Sequence, residues 1–149
     1  MGASAWAFWD VAKHKIANNE INLSGDDFRL ALYMTAASAT IATSTITIQS
    51  EIATNTEVSG GAYVAGGKLL VSPTWVESGG SVKFDCTNPI FTASASNIVN
   101  VRYGVILKSV AATSGKLLVW SALSTVQFAV TTGNTLTVQM AATGIFTLA

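Results

Sequence analysis

The chain has 149 residues, half of them hydrophobic and only 11% charged, against about 25% charged in ordinary soluble domains. Its eight basic and eight acidic residues cancel, which argues against nucleic-acid binding through a cationic surface and against a disordered charged tail. A chain of this length forms one domain, here residues 1–149, and buries roughly 68–70% of its unfolded surface without a disulfide or metal.

The N-terminus, Met1-Gly2-Ala3-Ser4-Ala5-Trp6, has no basic region ahead of an apolar stretch, and Trp6 stands where a myristoylation signal has Ser or Thr. The single cysteine, Cys86, allows no intrachain disulfide and fits synthesis in a reducing cytoplasm. Ser4 is placed to cap a helix over residues 4–18, with Ala5, Phe8, Trp9, Ala12 and Ile16 at helical spacing. Lys13, His14 and Lys15 approach its C-terminal end, where positive charge suits the helix dipole, and Asn18-Asn19 ends it.

From about residue 27 the period becomes two. Phe28, Leu30, Leu32 and Met34 alternate with Arg29, Ala31 and Tyr33. The Ala36–Thr56 tract is rich in Ala, Thr, Ser and Ile, and it predicts a long loop or an arm ordered by a neighbour, with Ile46 and Ile48 as its only strand signal. Later alternations are Val82, Phe84 and Cys86, then Val99 through Leu107 as the longest, then Val126, Phe128 and Val130, then Leu136, Val138 and Met140. Glycine turns at 60–61, 66–67, 79–80, 115 and 133 separate these segments. The pattern predicts a mainly β chain, an antiparallel β-sandwich of jelly-roll or immunoglobulin-like type with one short N-terminal helix.

Two uncharged stretches are not read as membrane spans. Leu30–Ser50 carries eight Ser/Thr residues, and polar residues interrupt the charge-free Leu117–Ala149 throughout, so neither offers about 18 consecutive apolar residues.

No residue pattern points to catalysis, a cofactor or a metal. His14 is the only histidine, so a two-histidine metal site is ruled out, and no serine–histidine–aspartate triad can be argued from it. Cys86 shares a strand face with Val82 and Phe84, which suits a small buried hydrophobe better than a nucleophile. Asp26-Asp27 lacks a calcium-loop pattern and is expected to begin a strand or cap a turn. Asp85 with Glu77 is the carboxylate pair a glycosidase reading requires. Ser114-Gly115-Lys116-Leu117 fails as a phosphate loop because Val110 and Leu117 occupy its glycine and hydroxyl positions. Trp6, Trp9, Trp75 and Trp120 raise a carbohydrate-binding alternative, with Trp75 the candidate stacking residue.

Several segments together resemble small structural proteins of tailed-bacteriophage virions. They are Trp6-Ala7-Phe8-Trp9-Asp10, Asp27 through Tyr33, Gly61-Ala62-Tyr63-Val64-Ala65-Gly66-Gly67-Lys68-Leu69, Gly115-Lys116-Leu117-Leu118, Leu136-Thr137-Val138 and Gly144-Ile145-Phe146-Thr147-Leu148. The resemblance implies a non-enzymatic virion component of the head decoration (cement) or neck and tail type, with no catalytic motif to carry over. Its expected partners are the major capsid protein or other virion proteins, with a homo-oligomer, trimer or dimer, and neither nucleic acid nor membrane. It is expected on the capsid surface rather than the tail.

Near-zero net charge also favours association, and strand edges without Lys or Glu lack the usual protection against pairing. The missing charge therefore makes Leu117–Ala149 and the 36–56 tract the expected subunit contacts. Their candidate interface residues are Ile46, Ile48, Trp120, Phe128, Leu136, Val138, Phe146 and Leu148.

Overall fold

A computed structural model describes residues 5–110 and 114–148. Ser4, the expected helix cap, lies outside the described residues, as do 111–113 ahead of Ser114. The chain is mainly β, with antiparallel sheets and few helices. Strands β1 (Ala7–Phe8), β2 (Phe28–Tyr33), β3 (Lys68–Leu69), β8 (Tyr103–Lys108) and β9 (Lys116–Ala122) form a central sheet in the order β1-β9-β8-β2-β3. Around it stand β4 (Thr74–Ser78) and β5 (Ser81–Asp85) with β12 (Phe146–Leu148), β6 (Ile90–Thr92) with β11 (Thr135–Thr137), and β7 (Ile98–Val101) with β10 (Phe128–Val130). The buried hydrophobic residues form one cluster.

The helical spacing of the first segment is overruled by pairing. Ala7 and Phe8 lie opposite Trp120 and Val119 on the edge of β9, so helix α1 runs only Asp10–Ala17. Trp9 is the extended residue at its start, fully buried, with Nε1 donating to the Ile41 carbonyl at 3.1 Å. A satisfied indole N–H is what allows so large a side chain to sit in the core. Asn18 ends the helix, and Asn19 takes a left-handed φ of 59° that asparagine tolerates.

The central strands are covered on both faces, which hides their alternation. Phe28 meets Phe84 edge-to-face with ring centroids 5.2 Å apart, so its face of β2 packs against the β4-β5-β12 sheet. Tyr33, on the opposite face, takes a hydrogen bond at its hydroxyl from Gln49 Nε2 at 3.2 Å. The 36–56 tract supplies that second cover. It is not an open arm: a 3₁₀ turn at Thr35–Ala37, helix α2 (Ser38–Ile41) and a 3₁₀ turn at Gln49–Glu51 bury Ala37, Ile41, Gln49 and Ile52. Ile48 makes an isolated bridge to Lys116 rather than a strand. The long 99–107 alternation is likewise two strands, because the chain leaves β10 and joins β2 and β9 around Arg102, with Asn100 at φ 64°.

The expected interface residues are largely committed within the chain. Leu136, Val138 and Phe146 are buried, and Phe146 packs on Phe8 and Phe84 with centroids 4.5 and 5.2 Å away. Ile46, Trp120, Phe128 and Leu148 are half-buried against the same core, Trp120 edge-to-face on Tyr103; Ile48 is half-buried beside them. The large apolar residues of the C-terminal strands thus line the protein's own interior, while the turns between them are exposed.

Both edges of the central sheet are closed by fragments rather than whole strands. On β9 the fragments are β1 and Ile48. On β2 they are β3, opposite Arg29 and Leu30, and residues 56–58, where Val58 N donates to Leu32 O and Met34 N to Thr56 O. Fragmented edges offer little template for edge-to-edge pairing.

Candidate functional site

The gap between the two fragments on β2 is filled by a side chain. Leu32 N donates to the Tyr63 hydroxyl at 3.0 Å, and that hydroxyl donates to Glu57 Oε1 at 2.6 Å. The same carboxylate oxygen accepts from Gly66 N at 2.7 Å. Burial, then the Glu57 charge, push the Tyr63 phenol well above its ordinary value, so it remains a proton donor. Gly67 closes the loop at φ 80°, where an added Cβ would stand 2.2 Å from the Leu30 carbonyl oxygen. The glycine-rich segment 60–67 is thus a brace for β2, and it carries Val64 out into solvent at 70% exposure.

Beside this brace lies a groove between β3 and β6. A cleft of about 440 Å³ is lined by Arg29, Tyr63, Val64, Leu69, Ile90 and Phe91 among others. It adjoins a second hollow of about 510 Å³ through the shared Arg29 and Val64, and a third of about 130 Å³ through Lys68, Leu69 and Ile90. Of the seven exposed large hydrophobic residues among those described, five line these hollows: Val64, Leu69, Val71, Ile90 and Val110. The exposed apolar residues are thus concentrated around one set of adjoining hollows.

The only charged residues lining the three hollows are Arg29 and Lys68. Arg29 donates from Nε to Ser109 Oγ at 3.1 Å and from Nη1 to Gly67 O at 2.9 Å. Lys68 Nζ donates to the Ile90 carbonyl at 2.6 Å, across the groove. Among the described residues neither cation has an acidic partner; the ion pairs are Lys83–Asp85, Lys108–Asp26 and Lys116–Glu20. The arrangement offers apolar contact and uncompensated positive charge together.

The residues weighed for chemistry lie apart from the groove. His14 is exposed and shares a hydrogen bond with Asn18. Cys86 is half-buried, and burial, followed by the Asp85 charge, pushes its thiol up to about 12, the opposite of what a nucleophile requires. Asp26 accepts from Asn22 N at 2.6 Å and pairs with Lys108, so it caps a turn. Asp85 and Glu77 stand opposite Thr74 and Val82, at different ends of the β4–β5 hairpin. Among the described residues no group of three or more His, Cys, Asp or Glu side chains is arranged to hold a metal. None of the four tryptophans is exposed, and Trp75 leans on Phe84 and Phe146 at 6.5 and 6.2 Å.

Sequence reasoning missed the groove because its apolar residues fall in segments too short for a period. Val64 sits between glycine pairs and Leu69 in a two-residue strand. The one available signal was an isolated valine inside a glycine turn, where polar residues are usual. Compared with protein families, with characterised proteins and with solved structures, the chain matches none of them.

Proposed function

We propose that this chain is a non-enzymatic structural protein of a tailed-bacteriophage virion, a decoration (cement) protein that grips the outside of the capsid lattice. The observation that carries the adhesive part of this reading is the gathering of exposed apolar residues along one groove with two uncompensated cations. An adhesive surface needs desolvated apolar area for affinity and charge for orientation and partner choice. The virion assignment rests on the sequence resemblance through the aromatic N-terminal segment, the glycine brace and the C-terminal strands. The partner is the major capsid protein, and the mechanism is the bridging of adjacent subunits against internal pressure, by a protein that is itself a dimer or trimer.

Quantification of the chain in purified virions tests this directly. Copies in numbers comparable to the major capsid protein support decoration, while a single ring's worth moves the assignment to the neck or tail. Absence from the particle overturns the virion reading. Recombinant protein that stays monomeric and leaves capsids no more heat-resistant overturns the cement role.

A further inference from the structure

We propose that the groove between β3 and β6 receives an extended segment of a partner protein, apolar at alternate residues and bearing a carboxylate, which adds as a strand along β6. The first support is the direction of the backbone groups. On its other side β6 pairs with β11, Phe91 opposite Leu136, and the flanking odd residues 89 and 93 are bonded across. Ala93 N donates to Asn134 O at 2.9 Å, Gly133 N to Ala93 O at 2.7 Å, and Val138 N to Pro89 O at 2.9 Å. In an antiparallel ladder the intervening residues turn their N–H and C=O groups the opposite way. The polar groups of Ile90 and Thr92 therefore face the groove, and β6 has no strand partner on that side among the described residues. On the facing bank Leu70 N donates to Phe28 O at 2.8 Å and Lys68 lies opposite Leu30. By the same alternation Leu69 presents its amide outward.

The second support is the lysine that occupies this edge. Lys68 Nζ holds the Ile90 carbonyl, the group an entering strand would need as an acceptor. A lysine over an open strand is a common guard against indiscriminate pairing. Here it also selects. An incoming backbone N–H takes over the Ile90 carbonyl, and the released ammonium, with Arg29 alongside, favours a carboxylate on the arriving chain. Main-chain bonds supply affinity and the alternate side chains supply specificity, as in other strand additions, with Leu69, Ile90 and Val64 as apolar walls. In a second copy the acidic residue of the one described edge strand that could compete, β4, is already engaged. Asp85 is ion-paired to Lys83 in a strand bonded on both sides, and Glu77 holds the amide of Gly80.

The inference deepens the adhesive reading by naming the form of the partner, and the experiment separates the two. The probe is a synthetic peptide alternating valine and threonine with one central aspartate, titrated into isotopically labelled full-length protein. Its controls are the same peptide with lysine for aspartate and a version methylated on alternate backbone nitrogens. The aspartate peptide is expected to shift the amides of Leu69, Ile90 and Thr92, and to bind at least about fivefold more tightly than the lysine peptide, since one exposed ion pair gained is joined by a like-charge contact avoided. The methylated peptide should not bind. Lys68→Glu should reverse the charge preference; if that variant does not fold, the methylated peptide and a salt titration on the unaltered protein decide. The proposal is overturned by equal binding of both charged peptides, by shifts away from the groove, or by absence of binding. It is also overturned if concentrating the protein alone shifts the same amides, which would make the occupant a second copy. A chain that binds the peptide but is missing from virions keeps the groove and loses the virion role; one that is present in virions but ignores the peptide does the reverse.

Discussion

The C-terminal strands and the β3–β6 groove both gather apolar side chains, yet only the groove leaves them in water. Leu117, Leu118, Val119, Leu136, Val138 and Phe146 come from a stretch without a single charge, and all are buried. Val64, Leu69 and Ile90 come from segments holding Glu57, Lys68 and Lys83 nearby in sequence, and all are exposed. The strands of the charge-free stretch turn the former set of side chains inward, although its turns are exposed, Val126 at 67%. Lack of charge along the chain therefore does not by itself mark a docking surface; the groove proposed as one combines apolar exposure with two cations that lack an acidic partner among the described residues.

The largest expected effect tests whether the C-terminal strands belong to the core. Phe146 lies between Phe8, Phe84 and Trp75, so Phe146→Ala should destabilise by about 3–5 kcal/mol. Denaturant unfolding measures this. A loss below about 1 kcal/mol would mean that the ring is held in reserve for another protein.

That contrast also explains which parts of the fold the sequence disclosed. The alternation of Val82, Phe84 and Cys86 was readable because β5 turns Phe84 into the core and leaves Lys83 in solvent reach. Residues 28–33 and 103–107 were readable as strands but not as doubly covered ones, since alternation of Arg29, Ala31 and Tyr33 with Leu30 looks the same whether or not a second layer exists. The first helix was misjudged because Phe8 and Trp9 satisfy a helical period, while their pairing with Val119 and contact with Ile41 come from distant sequence. Nothing local predicts such partners. The groove lay furthest from view: it is made by three segments, around residues 29, 64–71 and 90–92, whose meeting is purely tertiary.

The next effect concerns the brace that holds one wall of the groove. Gly67→Ala places a Cβ against the Leu30 carbonyl at a backbone angle unsuited to alanine. A loss of about 2–3 kcal/mol is expected in the same unfolding assay. Tyr63→Phe removes less, because the ring still stacks on Phe91 at 5.9 Å. It leaves Leu32 N without its acceptor and Glu57 without the phenolic donor, which should destabilise by about 1–2 kcal/mol. Amide exchange at Leu32 should accelerate with it. An unchanged Leu32 amide would show that the hydroxyl is not what closes that edge.

A smaller effect appears in acid at the opposite side of the sheet. Glu51 accepts from Thr47 N, Thr47 Oγ1 and Ile48 N, and those bonds hold its carboxyl below the ordinary 4.5. The hydrogen bond and charge of Lys116 do the same for Glu20. A depressed carboxyl contributes stability that is fully present above its unfolded value and lost as pH falls through the folded one. The melting temperature should therefore decline from about pH 4.5 downward, and Glu51→Gln should flatten that decline while changing little at neutral pH. An identical acid profile for the variant would remove Glu51 from the account.

The smallest effect on folding is predicted where the effect on binding is greatest. Val64 stands 70% exposed at the junction of two hollows, with little buried area to lose. Val64→Ser should change unfolding free energy by no more than about 0.5 kcal/mol, whereas Phe146→Ala costs several times that. The same serine should weaken capture of the groove's occupant, since an exposed valine gains its stabilisation only when a partner removes it from water. Substitution at Leu69 or Ile90 follows the same logic, with a slightly larger folding cost because each is already more than half covered. If Val64→Ser instead destabilised the isolated protein as much as a core substitution, the groove would be part of the fold's own packing, and the distinction between the two apolar regions would collapse.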